Sequence, residues 1–116
     1  MFKNVIKRDG RRRKFNPSKI ILAIKNTLVE TKEKDPKDEL LDHLEERVEE
    51  ELEKKGYKVP SVEQIQDEVE RVLMLHGLTS TAKAFIVYRT TRDKAREEAN
   101  FLLDYRNLMD SYLKQN

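Results

Sequence analysis

The chain has 116 residues, 40% of them charged and 37% hydrophobic, with a formal net charge of +2. That length fits one domain with a modest core, and the lack of any Cys excludes disulfides, thiolate chemistry and zinc ribbons. No run approaches the roughly 20 apolar residues of a membrane span, and the start has no apolar secretory stretch, so a cytoplasmic protein is expected.

Residues 3–8 and 11–15 read as two strands. Asp9-Gly10 between them is a two-residue hairpin signal, because Gly tolerates the positive φ such a turn needs. Asn16 is a good N-cap and Pro17 sits well at a first helical position, so a helix is expected from about Pro17 to Thr31. Ile20, Ile21, Ala23, Ile24 and Leu28 recur at helical spacing on its buried face, and Phe15 is expected to plug the core beneath it. Residues 1–19 hold eight basic side chains (Lys3, Lys7, Arg8, Arg11, Arg12, Arg13, Lys14 and Lys19) against one acid, Asp9. Lys19 lies in the first helical turn, where a cation opposes the dipole. Backbone N–H groups at a helix start with flanking cations can hold a phosphate. A solvated basic hairpin explains the same charge, and both readings stand at this point.

Residues 30–39 have no periodicity, and Pro36 breaks any helix running in, so a linker is expected with a new start near Asp35-Pro36. The second helix runs to about Lys55 on a stripe of Leu40, Leu41, Leu44, Val48 and Leu52. Its other face, with Asp42, Glu45, Glu46, Glu49, Glu50, Glu51 and Glu53, is expected to be solvated. Residues 30–55 carry twelve acids and six bases, a counterweight to the hairpin. Gly56 is a natural C-cap, and Tyr57-Lys58-Val59 is expected to add a third strand, since an isolated hairpin is marginal. Ser61 with Gln64 forms a capping box for a third helix that buries Val62, Ile65, Val69, Val72 and Leu73. Gly77 ends it just after His76, a capping or surface residue. Thr79-Ser80-Thr81 starts a fourth helix with Ala82, Ala84, Phe85, Ile86 and Val87. An amphipathic tail follows through Phe101, Leu102, Tyr105, Leu108, Met109, Tyr112 and Leu113. Either it folds back or, as the end at Gln115-Asn116 favours, it joins a following domain.

No catalytic constellation is present. There is no nucleophile in a Gly-rich turn, and three Gly cannot supply a Walker loop. His43 and His76 lie far apart in sequence and suggest no metal site.

Three separated blocks resemble the ATP-cone family, in the right order. The first is Val5-x-Lys7-Arg8-Asp9-Gly10 with Phe15-Asn16-x-x-Lys19-Ile20. The second is Val59-x-Ser61-Val62-x-x-Ile65-Gln66-x-x-Val69-Glu70. The third is Ala82-Lys83-Ala84-Phe85-Ile86-x-Tyr88-Arg89. The resemblance covers residues 3 to about 96. It implies an α+β, mainly α fold: a four-helix bundle capped by a small three-stranded β-sheet, here with an extra C-terminal helical tail. Residues 1–97 would be the cone and 98–116 the tail or a linker to a catalytic domain. It also implies a non-catalytic allosteric domain that binds ATP or dATP, with or without Mg2+, and controls ribonucleotide reductase by changing subunit assembly. The family's transcriptional repressor carries a zinc ribbon, which a Cys-free chain cannot build. Leu108-Met109-Asp110-x-Tyr112-Leu113 resembles the joining segment of the anaerobic, glycyl-radical reductase class. The implied partners are the nucleotide, the catalytic domain of a parent reductase and a nucleotide-dependent homo-oligomer.

By the same resemblance, Lys7, Arg8 and Lys19 meet phosphates, and Asn16 holds the hairpin edge near the nucleotide. Val5 and Ile20 line sugar and base. Val62, Gln66 and Val87 contact adenine, Gln66 by hydrogen bonds to its polar edge. Thr91 stands where family members can carry a phosphate-facing cation. Two other classes remain to weigh: a nucleic-acid-binding module working through the hairpin, and a helical assembly module working through the tail. The hairpin lacks the exposed aromatics of a single-strand platform, and the acidic second helix repels a phosphate backbone.

Overall fold

The structure is a computed structural model and describes residues 2–114; the side chains of residues 100, 101, 104 and 111–114 fall outside the description. The tail positions Phe101, Tyr112 and Leu113 and the chain end at 115–116 therefore lie beyond what is described.

Strands β1 (Asn4–Ile6) and β2 (Arg12–Lys14) pair antiparallel, Asn4 opposite Lys14, Val5 opposite Arg13 and Ile6 opposite Arg12. The loop between them is not the two-residue turn expected. The Lys7 N–H donates to the Arg11 carbonyl at 2.8 Å and the Gly10 N–H to the Lys7 carbonyl at 2.9 Å, which leaves Arg8, Asp9 and Gly10 as a three-residue loop. A two-residue type I′ turn requires positive φ at Asp9 as well as Gly10. Gly10 takes it, at φ +83°, while Lys32 is the one described non-Gly residue that does. The Asp9 carboxylate fastens the loop by accepting the Arg11 N–H at 3.0 Å.

The third strand expected at Tyr57-Lys58-Val59 does not form. In its place a single parallel bridge joins Ile6 to Ser61, with the Ile6 N–H donating to the Pro60 carbonyl at 2.9 Å. The reason lies in the backbone donors. Pro60 has none. In a parallel ladder bridged at Ser61, the N–H of the residue before it would make the next bond to β1, so the sheet stops at two strands and one bridge. The Ser61 N–H, on the other side, goes to the Gln64 side chain at 2.9 Å in the capping box.

Helix α1 (Pro17–Thr31) has the expected bounds, with Asn16 as N-cap. It ends in a left-handed residue, Lys32, whose N–H returns to the Leu28 carbonyl. Helices α2 (Asp38–Lys54), α3 (Val62–Leu75) and α4 (Thr79–Lys114) follow. The core is built from Ile24 and Leu28 of α1, Leu41, Leu44, Val48 and Leu52 of α2, Val69, Val72 and Leu73 of α3, and Ala82 and Phe85 at the start of α4. Phe15 is not part of it; half-buried, it packs its ring on Phe2 at 5.6 Å. Helices α2 and α3 run antiparallel, as their side-chain pairs show: Lys55 with Glu68, and Glu51 with Arg71 at 3.8 Å.

The acidic face of α2 is not wholly solvated. Glu45 and Glu49 are 5% and 4% exposed, and Glu51 is buried too. Because α2 packs against α1 on one side and α3 on the other, its covered arc is wider than its leucine stripe. Glu51 is met by Arg47, Lys54 and Arg71. Glu45 and Glu49 instead pair with each other one turn apart, and one oxygen of each is buried without a hydrogen-bond partner. Burial first, then the hydrogen bond and charge of Glu49, push the Glu45 carboxyl up to about 8.

The chain divides into two units, Met1–Ile86 and Val87–Asn116. The second is the continuation of α4. Within it, Arg92 lies over the Tyr88 ring at 5.9 Å, and Leu102, Leu103, Tyr105 and Leu108 are exposed. Among the described residues no helix is long and apolar enough to cross a membrane.

Candidate functional site

In the first unit the hairpin gathers two helix starts. The Phe15 N–H donates to the Lys3 carbonyl at 2.9 Å, which sets the first turn of α1 beside the beginning of β1. The Ile6 bridge sets the first turn of α3 beside its end. At about 3.3 Å per residue these two points on β1 are roughly 10 Å apart. Val5 lies within β1 and Lys7 follows its last residue. Val62 and Gln66, four residues apart, share a face of α3. The structure therefore brings Val5, Lys7, Arg8, Asn16, Lys19, Ile20, Val62 and Gln66 to one end of this unit. Val87 and Thr91 belong to the second unit, where they sit four residues apart on α4, Val87 at 65% exposure.

The start of α1 does not offer the free backbone donors that its sequence suggests. Pro17 has no N–H, the Ser18 N–H goes to Asn16 Oδ1 at 3.0 Å, and the Lys19 N–H goes to the Asn16 carbonyl at 3.1 Å. An anion here must be held by side chains. Lys7, half-buried, and Lys19, exposed, have no ion-pair partner among the described residues. Arg8 is held by Glu63 of α3, with Nε to Oε1 at 2.9 Å. Both side chains of that pair are partly exposed, so the contact is worth at most about 1 kcal/mol and an anion can displace it. Ile20 is buried and belongs to the core.

Gln66 differs from its neighbours. Its Oε1 is buried and accepts no hydrogen bond. A buried acceptor without a donor costs about 1–3 kcal/mol, and the amino group on an adenine edge is a donor of the right kind.

A family model for the ATP cone domain matches residues 3–94. The chain belongs to the ATP-cone family. Curated relatives agree. It is 38% identical over 109 residues to the vitamin B12-dependent ribonucleoside-diphosphate reductase of Thermoplasma acidophilum, covering 88% of the chain and 13% of that protein. It is 36% identical over 98 residues to a ribonucleoside-diphosphate reductase subunit alpha of Chlamydia pneumoniae, covering 79% of the chain and 9% of that protein. A third relative, subunit alpha of Chlamydia muridarum, is 34% identical over 102 residues, covering 81% of the chain and 10% of the protein. This cone thus spans a small part of the length of the relatives it matches.

Two features of the cone escape a reading of its sequence. Glu33, in the connection after α1, caps α4 from outside. Its carboxylate accepts the Thr81 N–H and hydroxyl, both at 2.8 Å, and the Ser80 N–H at 3.2 Å. The Thr81 and Ser80 donors hold it below the usual carboxylate range, as expected for an anion at a helix N-terminus. The other feature is the histidine pair. His43 and His76, 33 residues apart in sequence, meet with Nε2 atoms 3.3 Å apart. The signal for this meeting is the antiparallel register of α2 and α3 rather than any local motif.

Proposed function

We propose that this cone is an allosteric ATP- or dATP-binding regulatory domain of a ribonucleotide reductase, and that the chain itself performs no chemistry. The observation that carries the reading is Gln66, a buried acceptor without a donor. It lies on the α3 face that adjoins a hairpin whose Lys7 and Lys19 have no ion-pair partner. Adenine supplies the missing donor and the phosphates supply the counter-charge. Lys7, Arg8 and Lys19 take the phosphates, Asn16 holds the hairpin edge, and Val5 and Ile20 line sugar and base. Val62 joins Gln66 at the adenine. Mg2+, where present, arrives on the phosphates, since the described residues contain no group of three or more His, Cys, Asp or Glu able to hold a metal.

The regulatory cone is read as residues 1–97 and the remainder as the tail towards a catalytic domain, in the cytoplasm. For the parent, the tail resemblance favours the anaerobic class. The relatives' names favour a vitamin B12-dependent or alpha-subunit enzyme, and they carry more weight because they extend over most of the chain. Exposed Leu102 and Leu108 on α4 support nucleotide-dependent self-association as the output.

Calorimetric titration with ATP and dATP tests the reading. Saturable binding is expected, weakened at least tenfold by Lys7→Ala and by Gln66→Ala. Absence of binding to either nucleotide overturns it, as does salt-sensitive DNA binding in its place. Size-exclusion chromatography with and without dATP tests the assembly output.

A further inference from the structure

The His43–His76 pair lies far from the nucleotide end. His76 caps the C-terminus of α3, about 20 Å along the helix from Val62 at 1.5 Å per residue. Its ring is fixed by the backbone: Nδ1 lies 2.9 Å from the Val72 carbonyl oxygen. A carbonyl oxygen only accepts, so Nδ1 carries the proton and the neutral ring presents its lone pair at Nε2. That lone pair faces His43 Nε2 at 3.3 Å, with the rings edge-on at 74°. At that distance the two nitrogens are within hydrogen-bond reach, with the His43 N–H as the donor. Two imidazole nitrogens bound at about 2.0–2.1 Å to one tetrahedral ion are about 3.3–3.4 Å apart. The observed separation also matches a coordination edge, so one ion can replace the shared proton without moving either helix.

We infer that His43 and His76 chelate a borderline first-row divalent cation, of the class of Zn2+, through their two Nε2 atoms. The donor set selects the ion: imidazole suits Zn2+, Ni2+ and Cu2+, whereas Mg2+ and Ca2+ require oxygen. The Val72 carbonyl supplies the outer hydrogen bond that orients a metal-bound histidine. Among the described residues no group of three or more potential ligands forms, so water completes the coordination. The ion clips the first half of α2 to the end of α3. It binds the folded chain, because only the helical hairpin brings ligands 33 residues apart into one edge.

Zn2+ titration of the full chain, followed by calorimetry and by thermal unfolding, tests the site. One ion per chain is expected. At a free Zn2+ concentration one hundred times the Kd, the folded-to-unfolded ratio rises about 100-fold. His43→Gln and His76→Gln each abolish both effects. Both residues are exposed, so neither substitution removes core, and circular dichroism checks the fold. Lys7→Ala binds Zn2+ unchanged, which separates this site from the nucleotide's. Equal Zn2+ binding by the wild type and both histidine variants places the ion on surface carboxylates and overturns the inference. So does an absence of Zn2+ binding by the wild type, or equal binding of Mg2+.

Discussion

Glu45 gives the sharpest test of how this small core is held. Its carboxyl is raised from 4.5 to about 8, chiefly by burial and then by Glu49 one turn away. The sign follows from linkage. A group whose pKa is raised by folding contributes fully below its unfolded value, and its contribution is lost as pH climbs toward the folded value. From about pH 4.5 upward the unfolded chain ionises Glu45 while the folded chain keeps the proton. Each pH unit in that window costs about 1.4 kcal/mol. By pH 7 the full shift would remove about 3.4 kcal/mol; allowing for water at the rim of the pair, about 2–3 kcal/mol is expected. Glu45→Gln preserves shape and can donate to Glu49 without carrying a titratable proton. Urea denaturation of both proteins, followed by circular dichroism at about pH 5, 7 and 8.5, isolates the effect as a difference between two curves. The variant should match the wild type closely near pH 5 and exceed it by about 2–3 kcal/mol at pH 7. In a chain of this size that amounts to a Tm higher by about 10 °C. Parallel curves would refute the reasoning, because they would mean that Glu45 is already ionised in the folded protein.

Glu33→Gln should destabilise the chain at neutral pH through loss of the α4 cap. Because Glu33 is held below its usual range, the difference from wild type is present above about pH 4.5 and should vanish as pH falls through the folded value, as read by denaturation midpoints. Glu63→Gln removes one ion-pair partner of Arg8 and a negative charge from the proposed phosphate end. Calorimetry should show nucleotide affinity rising about fivefold, or about 1 kcal/mol, with stability changed by less than that. Gly10→Ala meets no steric obstacle to its Cβ but must adopt φ +83°. A loss of about 1–2 kcal/mol in chemical denaturation is expected, the cost of a left-handed conformation for a residue with a Cβ.

The contrast between α1 and α2 shows what was legible in the sequence. Asn16, Pro17 and the spacing of Ile20, Ile24 and Leu28 determine α1 locally, and the helix appears with the expected bounds. The capping box at Ser61 was equally legible, yet the consequence of its neighbour Pro60 for the sheet was not. Pro60 has no N–H for the bond next to the Ile6 bridge, and the ladder ends there. Seeing that requires counting donors across two elements together. The acidic face of α2 was misread for a related reason. Periodicity identifies which side of a helix is apolar, but how wide an arc is covered depends on how many neighbours pack on it. Here there are two, and Glu45 and Glu49 are buried as well as the leucines.

The candidate site divides along the same line. Lys7, Arg8 and Lys19 were visible as charge, and Val62 and Gln66 only through the family resemblance, since nothing in a sequence marks an amide oxygen that will be buried without a donor. The histidine pair was invisible to spacing because its proximity is a property of register. Lys55 meeting Glu68 and Glu51 meeting Arg71 step backward along α2 as they step forward along α3. Carried two further turns, the same register brings His43 opposite the end of α3, where His76 stands. Charge pairs between two helices joined by a short turn thus predict a third, uncharged pair beyond them. The proposed nucleotide site and the histidine edge lie at opposite ends of α3, so a shift of that helix on nucleotide binding would change the 3.3 Å edge directly.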